Sequence, residues 1–297
     1  MNYKNKYLKY KSKYLKLKIN NLIGGNIINI NNSIMSNDKN IGEIISWTND
    51  QEYFDEDINE NIGWTIENLD DYEFEQNNIR AIIKLNWLHL NNIHIEENSK
   101  PLFILPGFSN SSLGMTLKRI NQYHQDIFNH GFSDIYIFDF TSIGKYNENT
   151  DLQKIIKDNL GEEEIAEMYR IISSHIKTIL ENYHNISILG RSAGGGLSLN
   201  LVFTHNLDVN GLNIACPGIN IPQITDNINN YNNKDLPIKL VWSEDDTKIP
   251  INDGYELSNI FNENNYSNFE FIEVNFNGDN NDKLNHRIQP ELINNLA

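Results

Sequence analysis

The chain has 297 residues, 39% of them hydrophobic, which suffices for one large or two small domains with a buried core. Its single cysteine, Cys216, excludes the intrachain disulfide framework of small secreted domains. The formal net charge is −16, and residues 1–40 contain eight lysines against one aspartate (+7), which leaves −23 for residues 41–297. A body this acidic argues against nonspecific nucleic-acid binding.

The sequence also lacks the signals of membrane insertion and secretion. No run of 18 apolar residues occurs, and the first 18 residues are rich in lysine and do not lead into an apolar signal core. With one cysteine and no such signals, we expect a protein of the cytoplasm.

The first 18 residues predict a short basic amphipathic helix. One helical face carries apolar and aromatic residues at alternating spacings of four and three, and the other faces carry lysine; these residues are Tyr3, Tyr7, Tyr10, Tyr14 and Leu17. Such a helix can dock to a membrane surface or an acidic protein, or it can be a dispensable solvated leader. The whole leader, residues 1–25, resembles the N-termini of many proteins of giant viruses that infect amoebae, which implies a host cytoplasm or a virion.

The rest of the chain divides into a linker and one folded domain. Residues 26–62 mix Asn and Ile with an acidic cluster and show no sustained period, so we interpret them as linker. In residues 63–297 short β-type runs alternate with helical periods, which predicts an α/β domain with a mostly parallel sheet and helices on both faces. The predicted strands are Arg80–His89, Leu102–Leu105, Asp134–Phe140, Ile186–Gly190, Gly211–Cys216, Ile238–Ser243 and Phe269–Phe276. The predicted helices are Leu113–Asn129, Glu162–Tyr183, Asp253–Asn262, one after Ser192 and one starting at Pro290.

The motif with the clearest chemistry is Gly190-Arg-Ser192-Ala-Gly194, which follows an apolar strand and precedes a helical period. A serine at a tight strand-to-helix turn has a strained backbone, and side chains two residues to either side would collide. Glycine at 190 and 194 avoids that collision, so Ser192 is our candidate nucleophile. The alternative is a glycine-rich helix start that only permits close packing.

With this motif the chain from about residue 80 resembles the α/β-hydrolase superfamily, in particular its serine esterases and lipases. The resemblance implies an oxyanion loop at Leu105-Pro-Gly-Phe108-Ser, with the backbone amides of Phe108 and Ala193 as donors. The family usually has His where Pro106 stands. Asp139-Phe-Thr-Ser-Ile-Gly144 resembles the Asp-rich turn of the family, with Ser142 replacing its first glycine.

The resemblance also implies an acid and a base, in the chain order Ser, acid, His. Asp246 follows the strand that comes two βα units after the nucleophile, and Asp245 is its rival. A turn or helix cap is the other possible role for this pair. His286 is the one histidine that follows these aspartates, so it is the candidate base, and the spacing of the other seven suggests no metal site.

These residues predict a serine hydrolase that cleaves carboxylic esters through an acyl-enzyme, without metal or cofactor. The roughly 20 residues from Cys216 to Ile238 are too few for a large lid, which favours small acyl substrates in an open site. A thioesterase, peptidase or acyltransferase would use the same triad. A binding protein that keeps the hydrolase fold without catalysis is the alternative from another class.

Overall fold

The computed structural model describes residues 28–29, 64–69, 72–76, 79–83, 86–91, 100–139, 162–274, 288, 290–294 and 296–297. The N-terminal leader and most of the predicted linker lie outside these ranges, and so does His286.

Eleven strands and six α-helices follow one another in the described part of the chain. The strands are β1 Ile28–Asn29, β2 Thr65–Asn68, β3 Tyr72–Gln76, β4 Ile79–Ile83, β5 Asn86–Asn91, β6 Pro101–Leu105, β7 Asp134–Asp139, β8 Ser187–Arg191, β9 Gly211–Ala215, β10 Ile238–Ser243 and β11 Phe269–Val274. The helices are α1 Asn110–Asn129, α2 Glu162–Leu180, α3 Ala193–Leu199, α4 Ile221–Asn230, α5 Ile251–Glu263 and α6 Pro290–Ile293. A π-helical turn, Asn200–Thr204, continues α3.

The main sheet has eight strands in the order β11-β10-β9-β8-β6-β7-β5-β2. The six strands from β11 to β7 run parallel, and β5 and β2 add an antiparallel edge. A separate three-stranded sheet has the order β1-β4-β3. The fold is therefore α/β with a mostly parallel sheet, as the sequence predicts.

Burial explains why the central strands form. All five residues of β6, of β8 and of β9 are buried, which is the pattern of a parallel sheet covered on both faces. Helix α1 packs against α6, whereas α2 and α4 pack against α3 or the turn that continues it. Parallel strands connected by right-handed crossovers in opposite directions place their helices on opposite faces, so this grouping follows from the strand order.

Local signals set several element ends. Ser109 caps α1, because its side chain accepts a hydrogen bond of 3.0 Å from the Ser112 amide. Pro222 lies in the first turn of α4, where a missing amide proton is tolerated. Between β9 and β10 the chain forms α4 and no larger insertion.

The predicted strand Arg80–His89 is wrong in its extent. The chain forms β4 and β5 there, and the two strands belong to different sheets. The strands β2 and β3 and the helix α4 were not expected from the sequence. Strand β1 lies inside the stretch interpreted as linker and pairs with β4. No helix in the described ranges is long and apolar enough to cross a membrane.

Candidate active site

The strand order creates a crevice at the carboxyl ends of β6 and β8. From β6 the chain crosses to β7 on one side, and from β8 it crosses to β9 on the other. Adjacent parallel strands whose connections leave in opposite directions open a crevice where ligands bind in α/β proteins. Leu105 pairs with Gly190 at this point, so the predicted oxyanion loop and nucleophile lie side by side.

Ser192 occupies the turn between β8 and α3 with φ 54° and ψ −124°. A non-glycine residue at positive φ costs on the order of 1–3 kcal/mol, and surrounding contacts must hold it there. Its amide donates to Ala215 O (3.1 Å), and its carbonyl accepts from the Gly196 and Gly218 amides (3.1 and 2.8 Å). The backbone of Ser192 is thus fixed by both the following helix and the end of β9.

The two glycines of the motif have no room for a side chain. A Cβ at Gly190 would collide with Ser198 Oγ and lie 2.6 Å from Gly194 O, and one at Gly194 would collide with the carbonyl oxygens of Leu105 and Pro106. The close approach at Gly194 joins the start of α3 to the predicted oxyanion loop. The steric requirement expected at positions 190 and 194 is met in the structure.

The loop after β6 packs closely against the serine. A Cβ at Gly107 would lie 3.6 Å from Ser192 Cβ, and the Gly107 amide donates to Ser112 Oγ (3.0 Å). Phe108 is 5% exposed and meets Tyr169 edge-on at 5.3 Å between ring centroids. Ala193, the other predicted oxyanion residue, is buried at the start of α3.

The two candidate acids differ in environment. Asp246 is 6% exposed, and its Oδ1 accepts from the amides of Lys248 (2.8 Å) and Ile249 (3.0 Å). Asp245 is exposed, and its amide donates to Ser243 Oγ (3.3 Å). Asp246 therefore has the turn-forming role considered for the pair, and its carboxylate faces the interior.

Cys216 lies between the candidate acid and the candidate nucleophile. It follows β9 at φ 36°, and its amide donates to Val241 O (3.1 Å). Burial raises the pKa of its thiol strongly, and the nearby Asp246 carboxylate, to which the thiol hydrogen-bonds, raises that pKa further. The thiol also contacts the Ser192 backbone. This buried thiol lies between Asp246 and the Ser192 backbone.

Two predicted features fall wholly or partly outside the described residues. His286 does, and the described chain resumes near it at the buried Ile288. Of the Asp-rich turn only Asp139 is described, and its side chain is buried. In the described ranges no group of three or more His, Cys, Asp or Glu is placed to hold a metal ion.

A cavity of about 710 Å³, a size typical of small-molecule sites, lies between α2 and α4. Gly218, whose amide donates to the Ser192 carbonyl, is one of its lining residues, whereas Ser192 is not. Tyr169 forms part of its inner wall. Its charged lining consists of Glu163, Glu167, Arg170, Asp253 and Glu256.

Three buried polar residues of the site had no role in the sequence analysis. Arg191 and Ser112 form a hydrogen bond of 2.6 Å beside Gly107, and Cys216 contacts Asp246. Arg191 could have been noticed as a charged residue in an otherwise apolar strand. Ser112 gave no signal, because a serine in a first helical turn is common.

Solved structures with similar folds include a CIB-like hydrolase from Thermoplasma acidophilum, at 16% identity over 72% of this chain and 88% of that chain, with a TM-score of 0.45. Est1E from Butyrivibrio proteoclasticus matches at 15% identity over 69% of this chain and 88% of that chain, with a TM-score of 0.43. A thermostable esterase matches at 15% identity over 71% of this chain but 55% of its own, with a TM-score of 0.45.

No curated protein sequence matches the chain. The model of a family described as phospholipase/carboxylesterase matches residues 142–291, half of the chain. The matched segment includes β8, the turn at Ser192, the Asp245–Asp246 pair and His286. It therefore covers the strand-to-helix turn and the buried carboxylate described above. The chain belongs to the phospholipase/carboxylesterase family of α/β-hydrolases.

Proposed function

We propose that the protein is a serine esterase that cleaves carboxylic esters through Ser192, His286 and Asp246. The observation that carries the proposal is the backbone of Ser192, held at φ 54° where β8 meets α3 in the crevice of the sheet. Strain of this kind persists only where surrounding contacts impose it, and it presents the serine side chain at the sheet edge.

In the proposed mechanism, His286 accepts the Ser192 proton as the hydroxyl oxygen attacks the ester carbonyl. The tetrahedral intermediate expels the alcohol, which takes up the proton from His286, and leaves an acyl-enzyme. Water then attacks the acyl group while His286 again accepts a proton. The second tetrahedral intermediate collapses as His286 returns that proton to the Ser192 oxygen, which frees the serine and releases the acid product. Asp246 holds the imidazole in the tautomer that accepts this proton.

The backbone amides of Phe108 and Ala193 are the proposed donors to the oxyanion. Gly107 lies against Ser192 Cβ, and Ala193 is the first residue of α3. Donors preset around a developing oxyanion act where water is excluded, and one such donor is typically worth about 3–4 kcal/mol. Because the loop after β6 and the turn at Ser192 are in close contact at Gly194, neither amide can move far from the other.

The buried position of Asp246 favours it over Asp245 as the acid. A carboxylate that orients an imidazole acts best out of water, where its charge is least screened. Asp246 lies beside Cys216, which contacts the Ser192 backbone, whereas Asp245 is exposed.

The decisive experiment is hydrolysis of p-nitrophenyl esters of increasing acyl length, with fluorophosphonate labelling in parallel. We expect Ser192→Ala to lose turnover by roughly 10⁴-fold or more and to lose labelling completely. The matched control is Ser174→Ala, an exposed serine of α2 that should keep both. His286→Gln should abolish turnover like the serine variant.

Folded wild-type protein that neither turns over any ester nor reacts with the fluorophosphonate would overturn the proposal. Labelling that persists in Ser192→Ala would assign the nucleophile to another residue. A wild type that hydrolyses thioesters far faster than oxygen esters would keep the triad and change the substrate class.

A further inference from the structure

Arg191 stands between Gly190 and the proposed nucleophile, and it is an unusual residue for the end of a buried central strand. It is 5% exposed, and β8 around it is otherwise composed of small and apolar residues with Ser187. Placing a guanidinium in a protein interior costs several kcal/mol before its partners are counted. A residue at this position therefore needs partners that compensate the charge.

The first partner of Arg191 is Ser112 in the first turn of α1. Arg191 Nη1 donates to Ser112 Oγ at 2.6 Å in a buried contact. The same oxygen accepts from the Gly107 amide at 3.0 Å. One hydroxyl thus joins the strand that ends at the nucleophile to the loop proposed to hold the oxyanion.

The contact of Ser112 with Arg191 and Gly107 is held in place by further contacts. The Ser112 amide is itself bound to Ser109 Oγ (3.0 Å), which fixes the first turn of α1. A Cβ at Gly107 would lie 2.7 Å from Ser112 Oγ, so a side chain at this position would displace the hydroxyl that the Gly107 amide binds. Gly107 directly precedes Phe108, and the orientation of the first peptide restricts the second.

Charge compensation comes from the other side of the site. Burial lowers the pKa of Arg191, and the negative charge of the Asp246 carboxylate acts in the opposite direction. The Cys216 thiol is neutral, because burial raises its own pKa. The guanidinium stays protonated in proteins, so it carries a fixed positive charge. Arg191 therefore interacts with the loop before α1 through Ser112 and with the proposed acid through its charge.

We propose that Arg191 is a positioning residue which, through Ser112 Oγ, presets the Gly107–Phe108 backbone as an oxyanion site beside Ser192. The inference rests on the proposed esterase function. Arg191 is covalently next to the proposed nucleophile. Its hydrogen bond to Ser112 therefore holds the serine at a fixed distance from the Gly107–Phe108 backbone. A preset donor need not reorganise when charge develops, and that gain appears in the transition state alone.

The test compares Ser112→Ala and Arg191→Met with Thr116→Val, using kcat, KM and the affinity of an alkyl trifluoromethyl ketone. That ketone forms a tetrahedral oxyanion adduct with a reactive serine. For both test variants we expect kcat and ketone affinity to fall about 10–100-fold, part of the 10²–10³ typical of losing a whole donor, with KM nearly constant. The kcat of the double variant should be little lower than that of the more damaged single variant, because both substitutions remove the same hydrogen bond between Arg191 and Ser112.

Thr116 provides the matched control, because it is a buried hydroxyl one turn further along α1 with no hydrogen-bond partner in the described part of the chain. Thr116→Val should keep kcat and ketone affinity. Ser112→Thr, which retains a hydroxyl, should recover most of the loss in Ser112→Ala. If Arg191→Met does not fold, Ser112→Ala carries the test by itself.

The outcomes separate this inference from the proposed function. An active wild type together with a folded Ser112→Ala of unchanged kcat and ketone affinity would overturn the positioning role alone. A loss confined to KM would also overturn it, since a preset oxyanion donor acts on the transition state. A folded wild type without turnover or labelling would overturn the esterase proposal, and the inference with it.

Discussion

At the scale of single residues, the two adjacent aspartates that follow β10 have different surroundings. Asp246 is buried, accepts two amide protons and lies beside Cys216, whereas Asp245 is exposed to solvent. Both aspartates were candidates from the sequence, because neighbouring side chains point in different directions and a sequence does not show which one meets the imidazole. The structure gives them different surroundings, and this difference can be tested directly.

Asp246→Asn should lower kcat on the order of 10⁴-fold, as loss of the charge and of the correct imidazole tautomer does in serine hydrolases. The asparagine oxygen can still accept from the Lys248 and Ile249 amides, so the turn should persist. Loss of the negative charge near the buried Arg191 should lower the thermal midpoint. Asp245→Asn, the matched control, should stay within about twofold of wild type, as exposed substitutions usually do. A large loss in Asp245→Asn with an active Asp246→Asn would reverse the assignment.

The glycines around Ser192 differ in how much space they have. At Gly194 an added Cβ would meet two carbonyl oxygens, which belong to backbone and cannot rotate away. At Gly218, on the other side of the same serine, the nearest atoms would be 3.6 Å away, an ordinary contact distance. Gly194→Ala should therefore destabilise the fold by roughly 3 kcal/mol, and Gly218→Ala by much less.

Urea unfolding of both glycine variants measures this difference. The added methyl group of Gly194→Ala should also push the proposed oxyanion loop away from α3, so turnover should fall even where the variant remains folded. Equal stability of the two variants would contradict the packing described at the turn.

At the scale of elements, a histidine on β5 links the neighbouring strands β2 and β7 at the antiparallel edge of the sheet. His89 on β5 contacts Asp134 Oδ1 on β7 (2.9 Å) and Glu67 Oε1 on β2 (3.0 Å), and its ring stacks on Tyr136 at 4.3 Å. Burial by itself lowers the pKa of His89, but hydrogen bonds and charges from Asp134 and Glu67 outweigh burial and raise the pKa above 6.5. Burial by itself raises the pKa of Asp134, but hydrogen bonds with His89 and Ser133 and the charge of His89 outweigh burial and lower the pKa below 3.8.

These shifts give the edge a pH dependence with a definite sign. A raised histidine pKa stabilises the folded state fully below 6.5, and this contribution is lost as the pH rises through the folded-state pKa. The lowered pKa of Asp134 stabilises above 3.8, and that contribution is lost as the pH falls through its folded-state value. The two contributions coexist between 3.8 and 6.5.

We therefore expect His89→Gln to lose more unfolding free energy relative to wild type at about pH 5.5 than at about pH 8.5. Glutamine keeps hydrogen-bonding groups but no charge, so the difference between the two pH values isolates the ionisation. Urea unfolding at both pH values measures it, with His184→Gln as an exposed control. A gap between wild type and His89→Gln that is constant with pH would contradict the raised pKa.

At the scale of the whole molecule, the net charge is negative and so is the charge that lines the cavity. The chain has a net charge of −16, and the described residues that line the cavity include four with carboxylates. Arg170, the guanidinium among the lining residues that the structure describes, donates two hydrogen bonds of 2.6 Å to Glu167. The field at the cavity should therefore repel anionic substrates.

If the esterase proposal holds, p-nitrophenyl hemisuccinate should have a kcat/KM about tenfold below that of p-nitrophenyl butyrate at low salt. The difference should shrink as salt is raised, because exposed charges are screened. Glu256→Gln, in the cavity lining, should reduce the difference more than Glu263→Gln at the far end of the same helix. Equal effects of the two substitutions would assign the repulsion to the whole surface.

The architecture was largely readable from sequence because its signals are local. Near-continuous apolar strands such as β6 alternate with helical periods such as that of α2, and these patterns require only neighbouring residues. The run from residue 80 to 89 was misread as one strand, since pattern alone does not show a chain leaving one sheet and entering another. Helix α4 was missed because its ten residues are polar apart from Ile221, Ile224 and Ile228, with Pro222 at the start.

The sequence by itself determined the α/β class, the sharp turn at Ser192 and the need for glycine at 190 and 194. These features depend on residues within one turn of each other, whose steric limits are fixed by the chain. Only the tertiary structure decided that Asp246 is buried and Asp245 exposed, and that Arg191 meets Gly107 through Ser112. Those contacts join segments that are distant along the chain, 79 residues apart for Arg191 and Ser112, and they exist only because the sheet places β6, β8, β9 and β10 side by side.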